Sequence, residues 1–254
     1  MRRTERKGRT QRRYVRRSLI AAAVAVALGT SLAAYSDAQT SPPAEDALMG
    51  HAVDHLPNNT ASDWVTYADH VVVVSATDER EIAPTEQELA RGEGTIGRTV
   101  DLRVDKVLWS RTGAPRPAPS TWAFSAVGWQ FTDGNTENRR CMALSDQPRV
   151  ELGHQYVTAL TWEEAKCSEG DAEPGQWRGL GEGSEVPFDG GILGEGELEG
   201  RTITAARALT AEPGDGLEDQ VAGQGSDSLV QALKEATPQA LAKTLQTQPQ
   251  DTCG

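Results

Sequence analysis

Between residues 70 and 193 the chain is a succession of short apolar runs and alternating stretches, with no long 3.6-residue period. His70-Val71-Val72-Val73-Val74-Ser75-Ala76 carries four consecutive β-branched residues, the signature of a strand buried on both faces. Thr99-Val100-Asp101-Leu102-Arg103-Val104-Asp105 alternates apolar and polar throughout, so one face meets a core and the other meets water. The alternation breaks in Lys106-Val107-Leu108-Trp109, which predicts a bulge or a strand end. Thr121-Trp122-Ala123-Phe124-Ser125-Ala126-Val127 and Gln155-Tyr156-Val157-Thr158-Ala159-Leu160-Thr161-Trp162 read as two further strands. The run from Trp177 to Leu180, then Val186-Pro187-Phe188 and Ile192-Leu193 around Asp189-Gly190-Gly191, predict a hairpin that closes the sheet.

Helical signals are short and peripheral. Ser62-Asp63-Trp64-Val65-Thr66-Tyr67-Ala68-Asp69 predicts a small helix capped by Thr60 or Ser62, whose hydroxyls accept from the free amides of a first turn. Thr85-Glu86-Gln87-Glu88 is a capping box, and Leu89-Ala90-Arg91-Gly92 closes the single turn it starts. That turn is expected inside an acidic surface loop. Near the C-terminus, Ser226 or Asp227 caps a run containing Leu229, Val230 and Leu233, and Thr237-Pro238 opens another. The class is therefore mainly β, a small barrel or sandwich with short C-terminal helices.

The organisation follows from composition. Residues 1–38 read as an export signal or signal anchor, and residues 39–60 as a disordered tether. Residues 61–210 form the β domain, residues 211–225 an acidic Gly-rich linker, and residues 226–254 the C-terminal helices and tail. The basic head from Met1 to Ser18 leads into Leu19-Ile20-Ala21-Ala22-Ala23-Val24-Ala25-Val26-Ala27-Leu28, too short for a span of ~20 residues. Ser36-Asp37-Ala38 supplies the small residues a signal peptidase reads. Cleavage is expected, and a retained anchor would still send the remainder outside the cytoplasm. An Arg16-Arg17 pair leaves twin-arginine export open beside the general route.

Setting this segment aside changes the charge. The 25 basic and 37 acidic residues of the chain become 16 and 35, a net of about −19. Such a field repels nucleic acid and anionic lipid, so neither is expected as a partner, and a membrane is met only through an uncleaved N-terminal segment. A monomer is expected.

Three cysteines suit an oxidising compartment imperfectly. Cys141 and Cys167 are the expected disulfide, closing a loop of about 26 residues worth ~3 kcal/mol in the chain-entropy model. Cys253 is then left over. No Cys-x-x-Cys or Cys/His cluster is present, so no metal and no cofactor is expected.

Tyr67-Ala68-Asp69-His70-Val71-Val72-Val73-Val74, followed by Val100-Asp101-Leu102-Arg103-Val104-Asp105-Lys106-Val107-Leu108, resembles a pattern of exported bacterial proteins: an Ala-Asp before a Val-rich strand, then a strand ending in Val-x-x-Val-Leu. It is also similar to the opening strands of netrin-like modules, the OB-type barrels of tissue inhibitors of metalloproteinases. The resemblance covers about a fifth of the chain after the signal and implies a barrel. Those inhibitors begin with Cys-x-Cys, whereas no cysteine precedes Cys141 here, so no inhibitory residue is carried over.

Catalytic motifs do not hold up on inspection. Gly92-Glu93-Gly94-Thr95-Ile96-Gly97 has the letters of a dinucleotide fingerprint but follows a helical turn and opens a strand, the reverse of the required context. His154 lies in a turn before a strand, and no Gly-x-Ser-x-Gly accompanies it. No catalytic residue is assigned. Trp129 and Phe131, in a segment read as a flexible loop after a strand, are the expected ligand-binding aromatics. The expected function is an exported, acidic, non-catalytic β domain that binds a protein or cell-envelope component, with a secreted hydrolase of unrecognised site as the alternative.

Overall fold

The computed structural model describes residues 47–51, 54, 56–168, 171–204 and 216–240. The export segment lies outside the described residues; the segment expected to open a helix at Thr237-Pro238 is not helical through residue 240, and the remainder of that expectation lies outside the described residues. The fold is mainly β. Its elements are β1 (Leu48–Gly50), α1 (Ala61–Tyr67), β2 (His70–Ile82), α2 (Glu86–Arg91), β3 (Gly94–Ser110), β4 (Thr121–Thr132), β5 (Asn135–Leu144) and β6 (Gln155–Glu163). There follow β7 (Lys166–Ser168), β8 (Asp171–Glu173), β9 (Gln176–Gly179), β10 (Glu185–Pro187), β11 (Gly196–Leu198), β12 (Arg201–Ile203), α3 (Leu217–Val221) and α4 (Ser226–Glu235).

The main sheet runs β1-β5-β4-β3-β2-β6-β10, with β9 also paired to β6. In this sheet the β1–β5 pairing is parallel and the other ladders among the described residues are antiparallel. The β-branched run of β2 lies at the middle of this sheet and is buried on both sides. Val71 and Val73 join Trp64, Val157, Ala159, Leu193, Leu217, Leu229 and Leu233 in a cluster beneath α1, α3 and α4. Val72 and Val74 face the other way, into a cluster with Val100, Leu102, Trp122, Val150, Tyr156 and Leu160. Helices thus cover one face, and the sheet curls round the second cluster on the other.

The curl has a direct signature. The path from β4 to β9 crosses β3, β2 and β6, about 19 Å in a flat sheet at ~4.8 Å per step. Yet Trp122 Nε1 on β4 donates to the Trp177 carbonyl on β9 at 3.1 Å. The register shifts in β2–β3, between Val71/Val72, Val73/Val74 and Ala76/Asp78, are bulges of the kind that bend strands in this way.

Several expectations need correction. The insertion around the Thr85–Glu88 turn, expected to be an acidic surface loop, is instead a ladder arm formed by the far ends of β2 and β3, Ile82 pairing with Gly97. The turn at its tip is α2, where Thr85 and Glu88 cap each other as expected and Gly92 terminates the helix at φ 79. Leu48–Gly50, expected in a disordered tether, pairs with Met142, Ala143 and Leu144. Asp189–Gly191 is a 3-10 turn, and β10 pairs with β6 instead of forming a hairpin with Ile192 and Leu193. The expected linker contains α3, whose Leu217 and Val221 are buried. Gly225, not a Ser226 or Asp227 side chain, caps α4. No helix among the described residues is long and apolar enough to cross a membrane.

Candidate functional site

The residues expected to bind a ligand lie on a strand. Trp129 lies in β4, not in a loop, because residues 128–132 continue the ladder with β3 and β5. A Cβ on Gly128 would collide with the Ile96 carbonyl, so the glycine marks a close strand approach at a bulge rather than a turn. The half-buried indole is flanked by the guanidinium groups of Arg139, Arg149 and Arg98 at 4.4, 5.1 and 5.7 Å from its centre. Phe131 is fully buried. Cys141 pairs in register with Trp129 and is a free thiol, so the expected Cys141–Cys167 disulfide is not formed. Cys167 sits on β7, beyond β6, whereas Cys141 belongs to β5 on the far side of β4. Burial pushes the Cys141 thiol above its ordinary value.

His70 and His154 are each held by hydrogen bonds within the fold. His70 is buried between Ser110 Oγ and the Arg116 carbonyl, at 2.8 and 2.9 Å. His154 Nδ1 meets Asp189 Oδ2, and Asp189 Oδ1 accepts from the Gln155 amide at 2.8 Å. That carboxylate fixes the entry to β6.

A different place converges polar and aromatic groups. Where the curled sheet fails to close, a cleft of about 250 Å3 runs between Trp122, Ala123, Phe124 and Ser125 of β4 and Gln176, Trp177, Arg178 and Gly179 of β9. Asp54, Gln147, Gly181 and Glu185 complete its lining. Trp122 stacks edge-on against Phe124 at 5.2 Å, and Trp177 packs in the same way on Trp162 at 5.4 Å. The walls are therefore fixed aromatic surfaces.

Glu185 provides the floor. Its carboxyl also lines the small inner cavity with Val74, Tyr156 and Thr158, its register partner on β6. Burial, and then the charges of Asp54, Glu197 and Glu218, push its pKa up to about 8. The charges that raise it are all acidic. Arg178, the cation at the cleft wall, is engaged by Glu163 at 2.5 Å. Gly179 lets the carboxyl sit here, since a Cβ at that position would lie 3.0 Å from Glu185 Oε1.

Gln147 closes one end. It is 6% exposed, and its Nε2 has no hydrogen-bond partner, an arrangement that costs about 1–3 kcal/mol unless a partner arrives. Its placement is enforced from behind by Glu197 of β11, which accepts from the amides of Arg149 and Val150 at 3.0 and 2.9 Å and from Tyr156 Oη at 2.8 Å. Val150 is held at φ 61, a left-handed conformation that a β-branched residue rarely adopts. The Gln147 carbonyl accepts from the Glu199 amide at 2.8 Å, tying the loop to the β11–β12 hairpin.

Comparison with protein-family models, with curated proteins and with solved structures finds no match. The cleft therefore stands on its own chemistry. Alternation alone placed Trp122 and Phe124 on one strand face, but nothing in the sequence paired that strand with Trp177 or brought Glu185 beneath it.

Proposed function

We propose that this protein is an exported, acidic, non-catalytic β domain that binds an extracytoplasmic protein or cell-envelope component in the cleft between β4 and β9. The N-terminal segment directs it out of the cytoplasm and is removed after Ala38, leaving it secreted or at the outer face of the membrane. The observation that carries the binding role is Gln147 Nε2, a buried donor without a partner that lines the cleft. It is one of six buried side-chain nitrogens or oxygens without a hydrogen-bond partner among the described residues, and the one that lines this cleft; there, between rigid aromatic walls, it fits a ligand that supplies the acceptor.

The test is a photo-crosslinking amino acid placed at Ser125, which is exposed at the cleft wall, with exposed Leu89 on α2 as control. On intact cells, Ser125 gives a discrete adduct and Leu89 does not. Equal labelling from both positions, or none from Ser125, overturns the reading. One observation favours the hydrolase alternative: a carboxyl protonated near neutrality, as Glu185 is, has the property a general acid needs. Turnover of an envelope polymer by the secreted domain, abolished in Glu185→Gln, would decide for it.

A further inference from the structure

We infer that the cleft is a missing-strand site: an extended, basic peptide segment of another protein lies between β4 and β9, antiparallel to both, and completes the curled sheet. This rests on the binding role proposed above and names the ligand's chemistry.

The backbone argument begins with hydrogen-bond parity. The Val104 amide donates to the Ser120 carbonyl at 2.9 Å, and Arg103 opposes Thr121, so Val104 and Ser120 form a hydrogen-bonded pair. Alternation along an antiparallel ladder then turns the amides and carbonyls of Trp122 and Phe124 toward β3. Those of Ala123 and Ser125 point away, into the cleft. On the opposite wall the Leu180 amide donates to the Ala159 carbonyl at 3.1 Å, so Arg178 and Gln176 bond to β6. Trp177 and Gly179 point into the cleft. The Trp177 carbonyl shows this directly, since it accepts from Trp122 across the gap.

Among the described residues both edges are open. β5 pairs with β4 only from Trp129 to Thr132, and among the described residues no strand pairs with the cleft side of β9. A whole indole bridges the gap, so the edges stand farther apart than the ~4.8 Å of paired strands. They also point the same way, because β4, β3, β2, β6 and β9 alternate in direction. Five alternating strands cannot close on themselves antiparallel; a sixth, running against both edges, can. Four residues on each wall give a ladder of about 13 Å, long enough to hold an extended peptide by main-chain bonds as in known strand additions.

Charge complementarity selects the peptide. Its inward-facing side chain meets Trp122, Phe124 and the Glu185 carboxyl, with Asp54 and Gln147 at the ends. A lysine or arginine there supplies the positive charge the floor lacks, and its stem packs on the aromatic walls. The acidic surface attracts the same partner from a distance.

The experiment uses the secreted protein and three capped pentapeptides: Thr-Val-Lys-Val-Thr, its Glu-for-Lys counterpart, and the lysine peptide N-methylated at both valines. Amide exchange by NMR and calorimetry are the readouts. The lysine peptide is expected to slow exchange at Ala123, Ser125, Trp177 and Gly179, and both altered peptides to bind at least about tenfold more weakly, an increment of ~1.4 kcal/mol. Ser125→Pro removes one outward amide without touching the β3 ladder, and is expected to fold normally and lose peptide binding. Equal binding of the three peptides, no binding, or protection at another edge overturns the proposal. Protection of these amides in the free protein overturns it in favour of the chain's own segment, and protection that grows with protein concentration in favour of a second copy. If the peptides fail while Ser125 still crosslinks, the strand site falls and the binding role stands.

Discussion

The Trp122 indole donates its proton to the Trp177 carbonyl at 3.1 Å, tying together two strands that no ladder connects. The bond sits at the boundary between the aromatic cluster and the cleft, so it both buries a ring and sets the gap width. Trp122→Phe keeps an aromatic ring but leaves that carbonyl without its donor. A loss of about 1–3 kcal/mol is expected, read as a lower urea midpoint with unchanged slope. Unchanged stability would show that the gap is not held by this bond.

Glu185 makes a prediction about pH. Its pKa is pushed up to about 8 in the folded chain against an ordinary 4.5, so the folded state holds a proton that the unfolded state releases. The stability this confers is fully present below pH 4.5 and is lost as the pH rises through 8. Glu185→Gln, neutral at every pH, is therefore expected to match the native protein at pH 5 and to melt several degrees higher at pH 9. Glu218, also pushed up to about 8 by burial and by Asp219 and Asp146, keeps a parallel trend in both proteins. Thermal melts of the two proteins across pH 5 to 9 check this; a constant difference would refute it.

The same group predicts how a cationic peptide binds. A cation favours the ionised carboxyl, so at pH 7 binding expels up to one proton. Affinity then rises by as much as about tenfold per pH unit up to pH 8. Asp54, Glu197 and Glu218 oppose ionisation of Glu185, and Arg178 is held by Glu163, so Glu185 dominates the effect. Calorimetry in buffers of different ionisation enthalpy counts the protons, and a count near zero would count against the assignment.

Glu197 and Tyr156 should differ sharply when cut. Glu197→Ala strands the amides of Arg149, Val150 and Gly200 together with the Tyr156 hydroxyl, a loss of about 3–5 kcal/mol by analogy with broken buried charge networks. Tyr156→Phe removes the bond to Glu197 and the acceptor of the Glu151 amide, and is expected to cost about 1–3 kcal/mol. Chemical denaturation of both variants gives the ratio, and equal losses would mean that the clamp on Val150 matters little.

Cys141 is a free, half-buried thiol. Peptide mapping without reduction should recover it alkylated only after unfolding, and Cys141→Ser should shift stability by less than the 2–5 kcal/mol that a lost disulfide costs. Recovery of a Cys141–Cys167 peptide would reverse this finding.

What the sequence made legible was local. Four valines in a row, the alternation through Val100, Leu102 and Val104, and the Thr85–Glu88 box each carry their structure within a few residues. β5 was missed because Asn135-Thr136-Glu137-Asn138-Arg139-Arg140 has no apolar alternation, its pairing being inherited from β4. Trp129 was misplaced because Gly128 reads as a loop glycine, when the demand on it comes from Ile96, 32 positions earlier. The cleft was invisible for the same reason at larger scale: it exists only once bulges in β2–β3 have curled the sheet. The sequence distance between Cys141 and Cys167 says nothing of which strands stand between them.

The two open edges would ordinarily be a hazard, since bare strands invite identical molecules to stack on one another. Here the net charge of about −19 outside the export segment makes every copy repel every other, while leaving a positively charged visitor unopposed. Acidity thus works as a filter on who may dock. High salt should weaken that filter in both directions, slowing the right partner and permitting the wrong one.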